Sequence, residues 1–179
     1  GEYLGHRPTE YEVAELIRRR FSENGLVASD GPIVAINEHC SDPHYQPQPN
    51  NSSIIRKGDW LLIDLWAREN TEASVYADIT WVRYVGWKVP KHQREVFEVV
   101  AGARDAALTF LNDSYLAGRT LQGCEVDLVA REYIAQAGYG EYFTHRLGHS
   151  LGHNVHGEAV NLDSYETLDT RHLVSGIGF

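Results

Sequence analysis

Two aspartates and a run of histidines are the residues whose types and spacing point to chemistry. Asp64 lies inside "LLIDLWA" and Asp78 inside "VYADITW", apolar strand-like stretches that would ordinarily exclude a carboxylate. A buried charge without a partner costs several kcal/mol, roughly, so something must compensate each one. The two are 14 residues apart, a separation that lets the two strands of a hairpin bring both carboxylates together. Neighbouring acids repel, and a divalent metal is the usual means of keeping both ionised at neutral pH. The bland alternative is that each aspartate caps a turn or pairs with an arginine such as Arg68 or Arg83.

The segment 144–158, "THRLGHSLGHNVHGE", places His145, His149, His153 and His156 within twelve positions. A helix would align the first three on one face, but Gly148 and Gly152 would each cost about 1 kcal/mol there, which argues for a strand or loop. In an extended chain, residues four apart share a face yet stand about 13 Å from one another, so this segment supplies one or two ligands to a given ion, and the others meet substrate or solvent. Imidazole and carboxylate together suit Zn, Mn, Fe or Co better than Ca or Mg.

The elements that must position these residues follow from periodicity. Thr9 to Glu12 spells a T-x-x-E capping box, and Val13, Leu16, Ile17 and Phe21 recur at helical spacing before Gly25, which predicts an amphipathic helix over 9–24. "GPIVAI" (31–36), "DWLLIDLWA" (59–67) and "SVYADITWVRYVG" (74–86) are rich in strand formers, the last two pairing antiparallel through "RENTE". Pro90 opens a long helix to about residue 117, with a stripe of Val96, Val99, Val100, Ala103, Ala107 and Leu111. Val126, Val129, Ala130 and Ile134 mark a third helix with Asp127 and Glu132 on other faces, and Gly- and His-rich strands are expected after it. The order is that of an α+β fold, helices on one face of a mostly antiparallel sheet.

Composition bounds the function. With 179 residues the chain is read as one domain, and its 42% hydrophobic and 23% charged residues are ordinary globular values. A net charge of −9 opposes a broad nucleic-acid or anionic-membrane surface. No apolar run approaches the roughly 20 residues of a membrane helix. Cys40 and Cys124 are expected as reduced thiols in a cytoplasmic setting. Met is absent, initiator included, so the true N-terminus is expected to lie elsewhere.

"DPHYQP", "LLIDLWA", "YADITW", "FTHRLGHSLG" and "NVHGE", in this order, resemble the catalytic domain of the pita-bread metallopeptidases, the superfamily of methionine aminopeptidase and the Xaa-Pro peptidases. The proline-directed branch, prolidases and aminopeptidases P, is the nearer resemblance, from about residue 8 to residue 179. It implies a creatinase/aminopeptidase fold, a curved, mostly antiparallel sheet with helices on its outer face. It also implies two divalent metal ions (Mn, Co or Zn) held by Asp, Asp, His, Glu and Glu. By motif, Asp64, Asp78 and His149 match the first three. In the family the two glutamates follow a Gly-Phe dipeptide, and this chain stops at Gly178 and Phe179. The C-terminal strands and two ligands are therefore expected to be missing, the chain as it stands to be inactive, and an N-terminal domain to precede it. The resemblance further casts His156 as the contact to the scissile amide and His44 and His145 as pocket residues, and leaves His153 without a fixed role. His6, His39, His92 and His172 are expected to have no site role.

The activity so implied is hydrolysis of the peptide bond preceding proline, on a short peptide substrate, by an enzyme that is a homodimer at full length and uses neither nucleic acid nor membrane. Methionine aminopeptidase, a non-catalytic peptide-binding member of the fold and a metal-free creatinase-like amidohydrolase are the competing readings.

Overall fold

The computed structural model describes residues 6–179. The chain divides into two compact units, Gly1–Val89 and Pro90–Phe179.

In the first unit, α1 spans Glu10–Glu23, and the anticipated capping box is formed: Glu12 N–H donates to Thr9 Oγ1 (3.2 Å) and Thr9 N–H to Glu12 Oε2 (2.8 Å). Four strands follow, β1 (Leu26–Val27), β2 (Ile33–Ile36), β3 (Trp60–Glu69) and β4 (Ala77–Tyr84). Every pairing is antiparallel, and β3 is the hub: β4 runs beside it from Ala67↔Ala77 to Trp60↔Tyr84, β2 pairs with its first half, and β1 meets its last two residues. The two-residue β1 escaped the sequence reading, being too short to show a period. Ile33, Val34, Ala35 and Ile36 of β2 are all buried, α1 packs against β1 and β2, and Ala14 of α1 is fully buried. That is why β2 reads as an unbroken apolar run.

In the second unit, α2 (Lys91–Leu116) and α3 (Gly123–Gln136) pack together. Ala103, Ala107, Val126, Ala130 and Ile134 form their seam, joined by Leu121 and Leu162. Val100, placed on the α2 stripe by periodicity, is 54% exposed instead. Asp127, which stands on a face of α3 other than the apolar stripe, is also fully buried, because loop segments rather than solvent cover that side of the helix.

The Gly- and His-rich region beyond α3 does not form the strands its pattern predicts. After a 3-10 turn at Gly140–Tyr142 its described residues make isolated bridges, Gly148↔Leu162, Leu151↔Gly178 and Gln122↔His172. A ladder needs consecutive paired residues, and here buried side chains take the backbone donors instead.

Candidate metal centre

The β3–β4 hairpin decides how the two aspartates stand. Asp64 is paired with Thr80 and Asp78 with Trp66, so the carboxylates are diagonal neighbours on one face of the sheet. At this offset Cα atoms lie about 7–8 Å apart, within reach of a shared small ion or of each other's ligands. Both side chains are half-buried. Asp64 Oδ1 accepts the Thr80 hydroxyl at 2.6 Å, which orients it. Arg68, one of the two arginines named as possible partners, donates from Nη1 to the Glu69 and Thr71 carbonyls and the Ser74 hydroxyl, and its guanidinium stands 5.7 Å from the Tyr76 ring centre.

In the second unit, His149 and His156 come together, with ring centroids 4.6 Å apart and planes at 60°. Gly157 makes this possible. Its N–H donates to Ser150 O at 2.6 Å, and a Cβ at 157 would stand only 2.8 Å from Ser150 O and Oγ. Glycine thus lets the two backbones close, and the histidines just before each contact point meet. His149 Nδ1 lies 3.3 Å from the Ser150 carbonyl; donation there puts the lone pair on Nε2, the tautomer a metal ligand needs.

His145 turns to Glu166, with Nε2 3.4 Å from Oε1. His153 and His156 are exposed, as is His44, whose N–H donates to Asp42 Oδ1 at 2.9 Å. His6 contacts Glu12, and His39 contacts Glu10. Asp64, Asp78 and His44 belong to the first unit, and His145, His149 and His156 to the second. Among the described residues, no three His, Cys, Asp or Glu side chains form a ready-made metal cluster.

Two buried carboxylates that sequence reasoning did not single out hold these segments. Glu10 is fully buried and accepts four donors: Ile36 N–H (2.7 Å) and His39 Nδ1 (2.9 Å) on Oε1, Tyr45 O–H (2.7 Å) and Ser53 N–H (2.7 Å) on Oε2. The loop bearing His44 is thereby fastened to the start of α1. Burial, then donation to Glu10, push the Tyr45 hydroxyl above its ordinary range, so it stays a donor. Asp127 takes Arg131 Nε (2.9 Å) and Nη2 (3.1 Å), Leu147 N–H (2.7 Å) and the Ser164 hydroxyl. Arg131 donates onward to the carbonyls of Phe143 and His145, each at 2.8 Å. The only sequence signal for either hub is an acid beside an apolar stripe, and most such acids are solvated.

Cys40 and Cys124 are unpaired thiols, and burial pushes Cys40 up to about 11. No described helix is long and apolar enough to cross a membrane.

The likeness to known proteins is extensive. The chain is 37% identical over 125 residues to a Xaa-Pro dipeptidase of Lactobacillus helveticus, covering 69% of this chain and 30% of that protein. A solved prolidase of Pyrococcus horikoshii OT3 superposes with a TM-score of 0.79 at 28% identity, covering 98% of this chain and 46% of its own. A dipeptidase structure from the same organism gives 0.74 at 32% identity, with 96% and 43% covered. The chain thus spans less than half the length of each of these proteins, and the fold it shares with them is the pita-bread fold. The profile of metallopeptidase family M24 matches residues 2–176, and with a match across nearly its whole length this chain belongs to that family.

Proposed function

We propose that the protein hydrolyses the peptide bond preceding proline in short peptides, with Asp64, Asp78 and His149 as three ligands of a site for two divalent ions, Mn, Co or Zn. The observation that carries the reading is the placement of Asp64 and Asp78 as diagonal neighbours on one face of the β3–β4 hairpin. A pair of acids on one face fits cations of charge two, and a ligand set that mixes imidazole with carboxylate fits a transition metal. Divalent ions, when bound, supply Lewis acidity and a nucleophilic water at neutral pH.

The chain's own residues have separate tasks in this scheme. The Thr80 hydroxyl fixes the carboxylate of Asp64. The Ser150 carbonyl fixes the tautomer of His149. His156, packed edge-on against His149, donates a hydrogen bond to the carbonyl oxygen of the scissile amide as charge develops there. His44 and His145 line the substrate pocket. The reading extends to a cytoplasmic homodimer, in keeping with the two unpaired thiols.

The test is Mn- or Co-dependent release of proline from Ala-Pro by the protein as its gene encodes it. Asp78→Asn is expected to lower kcat/KM by about a hundredfold or more. Turnover that survives chelation, indifference to Asp78→Asn, or a preference for N-terminal Met over Xaa-Pro would each overturn the reading.

A further inference from the structure

Glu166 lies in the loop after the histidine segment, outside the ligand and pocket residues assigned above, and its surroundings are unusually fixed. The fully buried Asp163 accepts the backbone N–H groups of Tyr165, Glu166 and Thr167, each at 2.9 Å, and the Thr167 hydroxyl at 2.8 Å. Burial opposes ionisation of Asp163, but the Thr167 hydroxyl and those N–H donors together hold its carboxyl below the usual carboxylate range. The turn 163–167 is thus wound around one side chain.

The same turn is tied to the segment it faces. Ser164 donates to Asp127, and the Tyr165 ring centre lies 4.7 Å from the Arg131 guanidinium. On the other side, Leu147 N–H reaches Asp127, and the carbonyls of Phe143 and His145 accept from Arg131. One ion pair on α3 therefore sets both partners of the contact between Glu166 and residues 145–146.

Within that contact, Glu166 Oε1 accepts Arg146 N–H at 3.1 Å and lies 3.4 Å from His145 Nε2, while Oε2 lies 3.5 Å from Arg146 Nη1. The other ring nitrogen of His145, Nδ1, lies 2.9 Å from the Arg146 carbonyl. Both nitrogens of the ring face acceptors, so its plane and direction are fixed. The His145 and Glu166 side chains are 45% and 37% exposed. An ion pair so open to water contributes little to stability. The elaborate support beneath it then serves orientation, and the ring keeps an open edge for a ligand.

We propose that Glu166 is a positioning residue: it holds His145 in the orientation in which His145 meets the peptide substrate. This rests on the peptidase reading above. Glu166→Gln keeps an acceptor for Arg146 N–H and removes the carboxylate opposite His145 Nε2.

Two measurements test it together. In nitrogen NMR of the full protein at fixed pH, Glu166→Gln is expected to move the His145 ring resonances while the melting temperature stays within about a degree. In the Ala-Pro assay the same change is expected to raise KM about five- to tenfold with kcat within about twofold, and to have no further effect in a His145→Gln background. Unmoved His145 resonances, or losses that simply follow a lowered melting temperature, would overturn the proposal. If the wild-type protein fails to release proline, the peptidase reading falls and takes the kinetic half with it. The NMR comparison still decides whether Glu166 holds the ring.

Discussion

Glu10 in the first unit and Asp127 in the second are both fully buried carboxylates that gather a loop, and they are compensated in opposite ways. Glu10, at the start of α1, is met by four dispersed donors from β2, the following 3-10 turn and the loop to Ser53. Asp127, one turn into α3, is met by the bidentate guanidinium of Arg131, four residues on along the same helix, with one backbone N–H and one hydroxyl in addition. The first charge is spread over dipoles that come from far along the chain; the second is neutralised locally, and its cation then reaches out to loop carbonyls. In both units the segment so gathered is irregular and carries candidate site histidines. A buried acid substitutes there for the ladder of backbone hydrogen bonds that a strand would supply.

The difference predicts unequal costs. Glu10→Ala strands four donors at once and is expected to lower unfolding free energy by about 4 kcal/mol, read by urea denaturation. Asp127→Ala is expected to cost about 3 kcal/mol in the same assay, less because Arg131 retains two carbonyls and its contacts with the Phe143 and Tyr165 rings. If Asp127→Ala proves the costlier, the stranded charge of Arg131 outweighs the carbonyl and ring contacts it retains.

A finer cut is Tyr45→Phe, which removes one of Glu10's four donors. About 1–2 kcal/mol is expected, and a neutral result would show that the hub tolerates losing a donor. The smallest effect concerns acid. Donation from Arg171, then from Asn161 N–H, holds the Asp169 carboxyl down at about 2 against an ordinary 3.8. A depressed folded value stabilises the protein above the unfolded one, so this contribution is present above 3.8 and drains away as pH falls towards about 2. Asp169→Asn is expected to flatten the acid limb of the stability curve followed by circular dichroism, and an unchanged limb would remove Asp169 from the acid response.

Much of this was legible in the order of residues. The capping box at Thr9 and Glu12, the apolar runs of β2 and β3, and the stripe of α3 reported themselves, since each rests on interactions within a few residues or on the period of one exposed face. The Asp64 and Asp78 pair was legible because a carboxylate interrupts a pattern that has no room for one. Glu10 and Asp127 were not, because an acid in a helix reads the same whether water or a folded loop covers it.

The sequence by itself determined the three α-helices, the strands β2, β3 and β4, and the family that its motifs match. Only the tertiary structure decided that Asp64 faces Thr80 with Asp78 on the diagonal, that Gly157 lets His149 meet His156, and that His145 turns to Glu166. Register and loop closure depend on contacts between residues far apart along the chain, and no local period records them.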